Sequence, residues 1–168
     1  WFYNLTGRSY STSFQTELNA EPVRGLELIM AYRFNDVKTD QLDGTFEKPY
    51  SVRNKGLFSV SYATKFEKWK IDYNLQYNGH SRIPSTEDNP VEYQRSTKSP
   101  DYFIMHAQLT KRWKLFDFYA GIENLTNFTQ KDPIIAADDP FGSHFDASMI
   151  WGPITGRMYY AGMRFRIK

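Results

Sequence analysis

The sequence predicts an antiparallel transmembrane β-barrel segment of about seven or eight long strands. Three observations favour this fold class: stretches in which apolar and polar residues alternate, connections that alternate between short and long, and an aromatic content of 17%. Successive side chains of a strand point to opposite faces, so alternation gives a strand one apolar and one polar face. A barrel wall needs this pattern because one face meets lipid and the other faces the interior.

The composition is compatible with such a wall. Hydrophobic residues make up 40% of the 168 residues, and mean hydropathy is −0.62. No apolar run approaches the ~18 residues that a membrane helix needs. Because only alternate residues of a barrel strand are apolar, low mean hydropathy does not argue against a barrel. The 12 Tyr, 13 Phe and 4 Trp suit either a membrane-interface girdle or a stacking surface.

Charge and cysteine usage exclude several function classes. The 21 basic and 19 acidic residues are interspersed, which argues against a nucleic-acid partner. The absence of cysteine excludes thiol catalysis, disulfides and cysteine-ligated metal. His80, His106 and His144 lack metal-ligand spacing, and no catalytic constellation stands out. We therefore expect a protein that is not an enzyme, with no metal and no cofactor.

The alternation predicts seven strands, most of them longer than the usual five or six residues. At ~3.3 Å per residue and a tilt of ~40°, strands of roughly 11–13 residues cross an apolar slab of ~25–30 Å. Trp1 to Leu5 is the candidate for an eighth strand, and the sequence leaves this open. The predicted strands span residues 9–19, 26–35, 57–66, 69–78, 102–110, 116–123 and 157–168.

The connections alternate strictly in length. Short turns are predicted at 21–24, 67–68 and 113–114, and long loops at 39–54, 81–99 and 126–156. Short periplasmic turns and long extracellular loops are typical of outer-membrane barrels. A soluble up-and-down barrel, with its apolar face around a small ligand, is the main alternative.

The alternation predicts which strand face meets lipid and which faces the lumen. The lipid-facing candidates are apolar and alternate along the strands: Phe58, Val60, Tyr62, Trp69, Ile71, Tyr73, Leu75, Tyr77, Phe116, Phe118, Tyr159, Met163, Phe165 and Ile167. The lumen-facing candidates are charged and occupy the opposite positions: Glu17, Glu27, Arg33, Lys70, Asp72, Glu123, Arg164 and Arg166. We interpret the basic-aromatic run at 111–114 as an interface anchor at a barrel turn.

Two motifs near the C-terminus resemble a known family. Residues 119–128, YAGIENLTNF, resemble the G-x-x-N-L-x-N/D stretch before the last extracellular loop of TonB-dependent outer-membrane receptors. Residues 156–165, GRMYYAGMRF, resemble the G-R-x-x-x-x-G-x-R/K-F final strand of that family. The loop pieces 131–135, 139–142 and 151–154 are also similar, so the resemblance covers about residues 99–168.

The resemblance implies a 22-stranded barrel in the bacterial outer membrane, enclosing an N-terminal plug. Such a receptor imports a scarce nutrient of the siderophore, haem, cobalamin, glycan or peptide class with energy from TonB. Residues 1–168 would then be the C-terminal barrel segment, without the plug, and a mature product or a piece of a longer chain. The implied partners are outer-membrane lipid, the N-terminal barrel and plug segment, TonB through that segment, and a surface lipoprotein as a further candidate.

A second alternative is a small self-contained outer-membrane barrel for adhesion or passive diffusion, which requires an eighth strand from residues 1–7. The sequence selects no particular substrate.

The loop of about 30 residues before the last strand is the candidate site, because such long loops commonly bind or gate. We hypothesise that it contacts substrate together with loop 81–99, and the alternative that it merely packs against neighbouring loops stays open. Asp138, Asp139, His144 and Asp146 could gather around a hard cation such as calcium, but solvated loop carboxylates and turn-forming Asp-Pro pairs are the favoured explanation. The substrate-contact candidates are Phe141, His144, Phe145, Asp146 and Trp151.

Overall fold

The chain folds into one antiparallel sheet, as the alternation predicts. A computed structural model describes residues 8–41 and 44–167. Its strands are β1 Tyr10–Val23, β2 Leu26–Gln41, β3 Gly44–Glu47, β4 Asn54–Ala63, β5 Trp69–Asn78, β6 Tyr102–Trp113, β7 Phe116–Glu123 and β8 Met158–Phe165. The only helical elements in these residues are 3₁₀ turns at Lys65–Glu67 and Val91–Tyr93.

Seven long strands pair in the order β1-β2-β4-β5-β6-β7-β8, and the short β3 pairs with the end of β2. Over the described ranges the sheet is open, with β1 and β8 as its edges. The predicted contribution of Trp1 to Leu5 lies outside the described residues. No helix in the described part of the chain is long and apolar enough to cross a membrane.

The connections confirm the predicted alternation. Short ones lie at 24–25, 64–68 and 114–115, at what we call the turn end of the sheet. The longer ones, at 48–53, 79–101 and 124–157, lie at the opposite loop end. All three longer connections therefore lie at the same end of the sheet.

Several predicted boundaries were wrong. The tight turn is not 21–24, because β1 runs through Pro22 to Val23 with a register irregularity after Ala20. The turn is Arg24–Gly25, where Gly25 has φ +84° and lies against the carbonyl of Ala63, so no Cβ fits there. The strand predicted for 57–66 ends at Ala63, because Phe66 and Glu67 adopt positive φ in the following 3₁₀ turn.

Two further differences concern strand length. The loop predicted for 39–54 contains the end of β2, since residues 38–41 pair with 44–47 of β3. The final strand spans Met158–Phe165 and not 157–168, because its partner β7 begins only at Phe116. Beyond it, the backbone N–H of Arg166 still donates to the carbonyl of Leu115, at 2.8 Å.

The register collects the apolar residues on one face. One cross-strand row runs through all seven long strands, each member directly opposite the next: Ala20, Leu28, Val60, Tyr73, Ala107, Ile122 and Tyr159. This apolar face remains exposed, with Phe14 at 59%, Leu18 at 61% and Met163 at 58% relative accessibility. The predicted lipid-facing residues within strands share it, and the predicted lumen-facing residues within strands share the opposite, polar face.

The apolar face is layered along the strands. At the turn end, Trp113, Phe116 and Phe165 form one row, and Trp69 and Phe118 belong to the next. At the loop end, Tyr32, Tyr77 and Phe103 fall in one row with Gly56 between them. The rows between are mostly aliphatic but include four aromatic residues: Phe58, Tyr62, Tyr73 and Tyr159.

The spacing of the two aromatic bands follows from strand geometry. Trp69 and Tyr77 both lie on β5, eight positions apart. At ~3.3 Å per residue this is ~26 Å along the strand, or roughly 20 Å across a slab at a tilt of ~40°. The separation is close to the ~25 Å apolar band, flanked by aromatic girdles, of outer-membrane barrels.

The polar face packs two glycines under tyrosines. Gly121 of β7 lies opposite Tyr160 of β8, and Tyr119 lies opposite Gly162. A Cβ at either glycine would overlap the ring of the facing tyrosine. Each ring therefore covers the backbone of the neighbouring strand, which requires glycine at both positions.

We predict that Gly121→Ala lowers the free energy of unfolding by about 1–3 kcal/mol, because the added methyl forces out the Tyr160 ring. The added Cβ would also lie 2.9 Å from the Ala107 carbonyl oxygen. Gly56→Ala is the matched control, since its Cβ would meet Tyr77 at an ordinary 3.5 Å. Urea unfolding in detergent micelles measures both variants. Equal effects at the two positions would contradict the packing argument.

Candidate functional site

The loop end carries a compact loop module, made of residues 48–53, 79–101 and 124–157. Its small core contains Ile83, Ile135, Ala136 and Met149, with Tyr93 and Trp151 packed against it. Ile135 is only 1% exposed. The two longest loops contribute to the same core, so neither is an independent flap. The Tyr50 hydroxyl attaches the third connection, donating 3.2 Å to the carbonyl oxygen of Ser148.

Gln130 organises the backbone inside the module. Its side-chain nitrogen donates 2.7 Å to the carbonyl oxygen of Met149, and its side-chain oxygen accepts from the N–H groups of Trp151 and Gly152, at 2.8 and 3.1 Å. Gln130 is itself buried. Buried backbone groups that no strand can satisfy thus receive partners from one amide side chain.

An aromatic stack joins the module to the sheet. The rings of Tyr102, the first residue of β6, and Phe128 are parallel within 2° with centroids 4.7 Å apart. Trp151 packs at an angle against both rings, at 5.9 and 6.2 Å. The module is therefore fixed to the end of β6 by apolar contact as well as by the chain.

Asn124 connects the two ends of the longest loop, which together we call its neck. Its side-chain nitrogen donates to the carbonyl oxygens of Phe128 and Thr155, at 2.8 and 3.2 Å. Its side-chain oxygen accepts from the Phe128 N–H and the Thr126 hydroxyl, at 3.1 and 2.9 Å. The residue is buried and has φ +51°, a left-handed conformation that asparagine tolerates better than most residues.

A second set of contacts fastens the same neck. The Asn127 side-chain oxygen accepts from the N–H of Arg157 at 2.9 Å, and the Arg157 guanidinium donates 2.7 Å to the Leu125 carbonyl. A Cβ at Gly156 would lie 2.8 Å from that Asn127 oxygen. Asn124, Asn127, Gly156 and Arg157 thus form one neck clasp, and these residues belong to the two motifs quoted above.

The substrate-contact candidates differ in how far their side chains are exposed or engaged in contacts within the module. Phe141 is fully exposed at the tip of its loop, and Phe145 is also exposed. The His144 ring lies 5.8 Å from that of Tyr93. Asp146 accepts from the Ser148 N–H at 2.7 Å, and its backbone pairs with Ile135. Trp151 belongs to the aromatic stack, so Phe141 is the candidate most open to a ligand.

Neighbouring groups and burial shift the pKa values of several side chains in the module. The Asp138 carboxylate raises the pKa of the Tyr93 phenol, and burial raises the pKa of Tyr50. The hydroxyl of Tyr77 donates 2.8 Å to Asp101 and lowers the pKa of that carboxyl. Within the described residues, Asp138, Asp139, His144 and Asp146 do not gather into a group that could hold a metal ion. The module is built around neutral aromatic groups.

The polar face carries a different feature at the turn end. A concavity of about 1030 Å³ opens there, lined by mixed charges that include Glu27, Lys70, Asp72, Arg112 and Arg164. It lies at the opposite end of the sheet from the loop module. The lumen-facing candidates Lys70 and Asp72 form an ion pair on its wall at 3.1 Å.

Asp117 connects three elements on this face. The side chain is 5% exposed and accepts from Arg112 at 3.3 Å and from Arg166, beyond the end of β8, at 2.8 Å. Arg112 also pairs with Glu67 in the preceding turn. Because a buried carboxylate needs such partners, the pair of arginines fixes the chain after β8 against β6.

Sequence reasoning did not single out Asp117, and it treated Lys111 only as part of the basic-aromatic run at 111–114. Asp117 follows the alternation of β7, but its burial depends on which strands lie beside it. Lys111 interrupts the apolar series of β6 and lies directly opposite Trp69, with its ammonium 4.6 Å from the ring centroid. A lone lysine in an apolar series is the signal that could have identified it.

Comparisons of the chain with protein-family models, with curated proteins and with solved structures gave no match. The resemblance to TonB-dependent receptors therefore stays a prediction that depends on the two motifs.

We predict that Asn124→Ala loosens the neck clasp and raises the rate of trypsin cleavage after Lys131, the only lysine of the loop, by about ten-fold. The variant loses four hydrogen bonds and places alanine in a left-handed conformation. Asn89→Ala is the control, since that side chain makes no hydrogen bond to the described residues. Equal cleavage of the two variants would show that Asn124 does not hold the loop.

Proposed function

We propose that the chain forms part of the wall of an outer-membrane β-barrel that imports a scarce nutrient, in the manner of TonB-dependent receptors. The observation that carries the proposal is the exposed apolar face, continuous over seven strands and bordered by aromatic rows at both ends. A water-soluble protein rarely exposes a contiguous apolar surface of this extent. Lipid is the solvent in which such a face is stable.

The position of the concavity supports a membrane wall over a soluble ligand-binding barrel. A soluble barrel of this sequence would fold its apolar face inward, around the ligand. The charged concavity instead opens on the polar face, which leaves the apolar face on the outer side of the curve. In a membrane barrel that arrangement gives a wet lumen and a lipid-facing exterior.

The open edges agree with a segment of a larger wall. Unpaired strand edges have no water to satisfy them in a bilayer, so barrels there are closed. Within the described residues β1 and β8 do not pair with each other. We infer that further strands of the parent receptor complete the barrel, and that the lumen-facing charges contact its plug.

The loop module indicates which end of the proposed wall is extracellular. Long loops of outer-membrane barrels are extracellular, so the module would stand at the mouth where a nutrient arrives. Phe141 would be its leading contact, since it is fully exposed on a loop held by a buried core. The proposed role is substrate capture for transport, with TonB acting through the N-terminal part of the receptor, and it involves no catalysis.

Paired cysteine substitutions test the membrane placement, because the chain has no cysteine of its own. We predict that a fluorophore at Ile71→Cys or Met163→Cys is quenched by nitroxide-labelled lipid. The same fluorophore at the neighbouring Asp72→Cys or Arg164→Cys should be quenched by aqueous iodide instead. Each pair differs by one position along a strand and therefore by face. Shielding of the apolar-face pair from both quenchers would indicate the soluble barrel.

Uptake by cells that carry the whole receptor tests the transport role. We predict that uptake of one class from a panel of iron chelates, haem, cobalamin, glycans and peptides requires TonB. Phe141→Ser should raise the half-saturating concentration of that substrate about ten-fold, as loss of one buried phenyl contact would. Val23→Ser is the control, since Val23 is 58% exposed at the turn end. TonB-independent uptake would instead favour passive diffusion.

A further inference from the structure

Three lysines lie over aromatic rings at the turn end of the sheet. The ammonium of Lys111 is 4.6 Å from the centroid of the Trp69 ring. The ammonium of Lys114 is 5.6 Å from that of Trp113, and the ammonium of Lys65 is 5.4 Å from that of Phe66. We call these lysines and rings the lysine-aromatic band.

The band has an excess of positive charge. The turn-end connections contain Arg24, Lys65, Lys68 and Lys114 against a single acid, Glu67, whose carboxylate is paired with Arg112. Among the described residues, no acidic side chain pairs with Lys65, Lys68, Lys111 or Lys114. Their charges are therefore open to an external anion.

The loop-end aromatic row has a different chemistry. There the Tyr77 hydroxyl donates to the Asp101 carboxylate at 2.8 Å, and the Tyr32 hydroxyl donates to Asn54 at 2.7 Å. Cations lie over rings at the loop end as well, with Lys38 5.8 Å from the Tyr10 centroid and Arg82 4.8 Å from that of Phe46. Among the described residues, however, the lysines that lie over tryptophan rings, Lys111 and Lys114, are both at the turn end. Anchoring at a membrane interface does not by itself require a lysine over each tryptophan ring, because aromatic rings alone can anchor a protein there.

The place of Lys111 narrows the identity of the anion. It belongs to the apolar face, between Trp69 and Phe118 in the same cross-strand row. A lysine in that position lays its aliphatic stem along apolar surface and lifts its ammonium to the polar boundary. In a bilayer the group at that boundary is the lipid headgroup, and tryptophan rings lie at the same depth.

We propose that the lysine-aromatic band binds the phosphate of anionic phospholipids in the leaflet that surrounds the turn end. The inference depends on the membrane placement given above and adds a lipid class to it. The ammonium groups of Lys65, Lys111 and Lys114 contact the phosphate, while the Trp69 and Trp113 rings pack against the glycerol and upper acyl region. Each basic residue at an anionic surface favours association by roughly five-fold.

Tryptophan quenching by brominated lipid tests this directly. The sequence has four tryptophans, so Trp1→Phe with Trp151→Phe leaves Trp69 and Trp113 as reporters inside the band. The whole receptor, with any tryptophans outside this chain also replaced by Phe, is reconstituted in phosphatidylcholine vesicles containing phosphatidylglycerol, with bromine on one lipid or on the other. We expect brominated phosphatidylglycerol to quench several-fold more strongly than its share of the bilayer accounts for, and salt to reduce this preference.

Lysine substitutions test whether the lipid preference depends on the lysine-aromatic band or on positive charge anywhere on the chain. Lys65→Gln, Lys111→Gln and Lys114→Gln together should reduce the preference to about one. The matched control replaces three exposed lysines of the loop end, Lys48, Lys98 and Lys131, and should leave it unchanged. Lys111→Arg should retain the preference, which shows that a substitution at this position does not itself disturb the fold. Inorganic phosphate should not compete, because the site needs the acyl part of the ligand as well.

The outcomes distinguish the inference from the proposed function. Equal quenching by both brominated lipids places the band in a bilayer and overturns the lipid preference alone. Absence of quenching by either lipid overturns both. Competition by inorganic phosphate would identify a free-anion site and overturn the lipid assignment.

Discussion

Strand register is the constraint on which the rest of this structure depends. The side chains of a strand alternate with a period of two, so a slip of one residue would move all its apolar groups to the opposite face. Here every long strand keeps the same phase, from Ala20 in β1 to Tyr159 in β8. The continuous apolar face, the aromatic rows at its two ends and the mixed charges opposite all follow from that phase.

The loop module depends on the same register in a less direct way. Pairing of β6, β7 and β8 brings the start of one loop, at Asn124, beside its own end, at Thr155 and Arg157. The clasp can then close with two amide side chains, Asn124 and Asn127, and the Arg157 guanidinium, so the chain between the two ends of the loop need not be short. Ile83 and Ile135 come from different loops and meet only because both necks stand on neighbouring strands.

Much of the sheet could be predicted from the sequence, because alternation is local and each strand can be identified by itself. The two faces, the positions of the long connections and the candidate loop were all available in this way. The loop core, the Gly121–Tyr160 packing and the burial of Asp117 were not, since they depend on contacts between residues far apart in sequence. The boundaries of β1 and β4 were missed because backbone conformation at Gly25 and Phe66, and not hydrophobicity, ends those strands.

The two ends of the apolar face carry different chemistry, and under the proposed membrane placement this difference bears on how the sheet would sit in a bilayer. Loop length alone indicates which end is extracellular. The lysines over Trp69 and Trp113 are an independent feature, and they stand at the end with the short turns. The other end carries carboxylates and hydroxyls, as in Asp101 with Tyr77, and its cations lie over tyrosine and phenylalanine, as in Lys38 over Tyr10. A sheet placed the other way up would keep its apolar band in lipid but would exchange the headgroups that these charges meet. In the proposed wall, the kind of ring that the cations cover, and not the apolar band between the two ends, would therefore distinguish the two orientations.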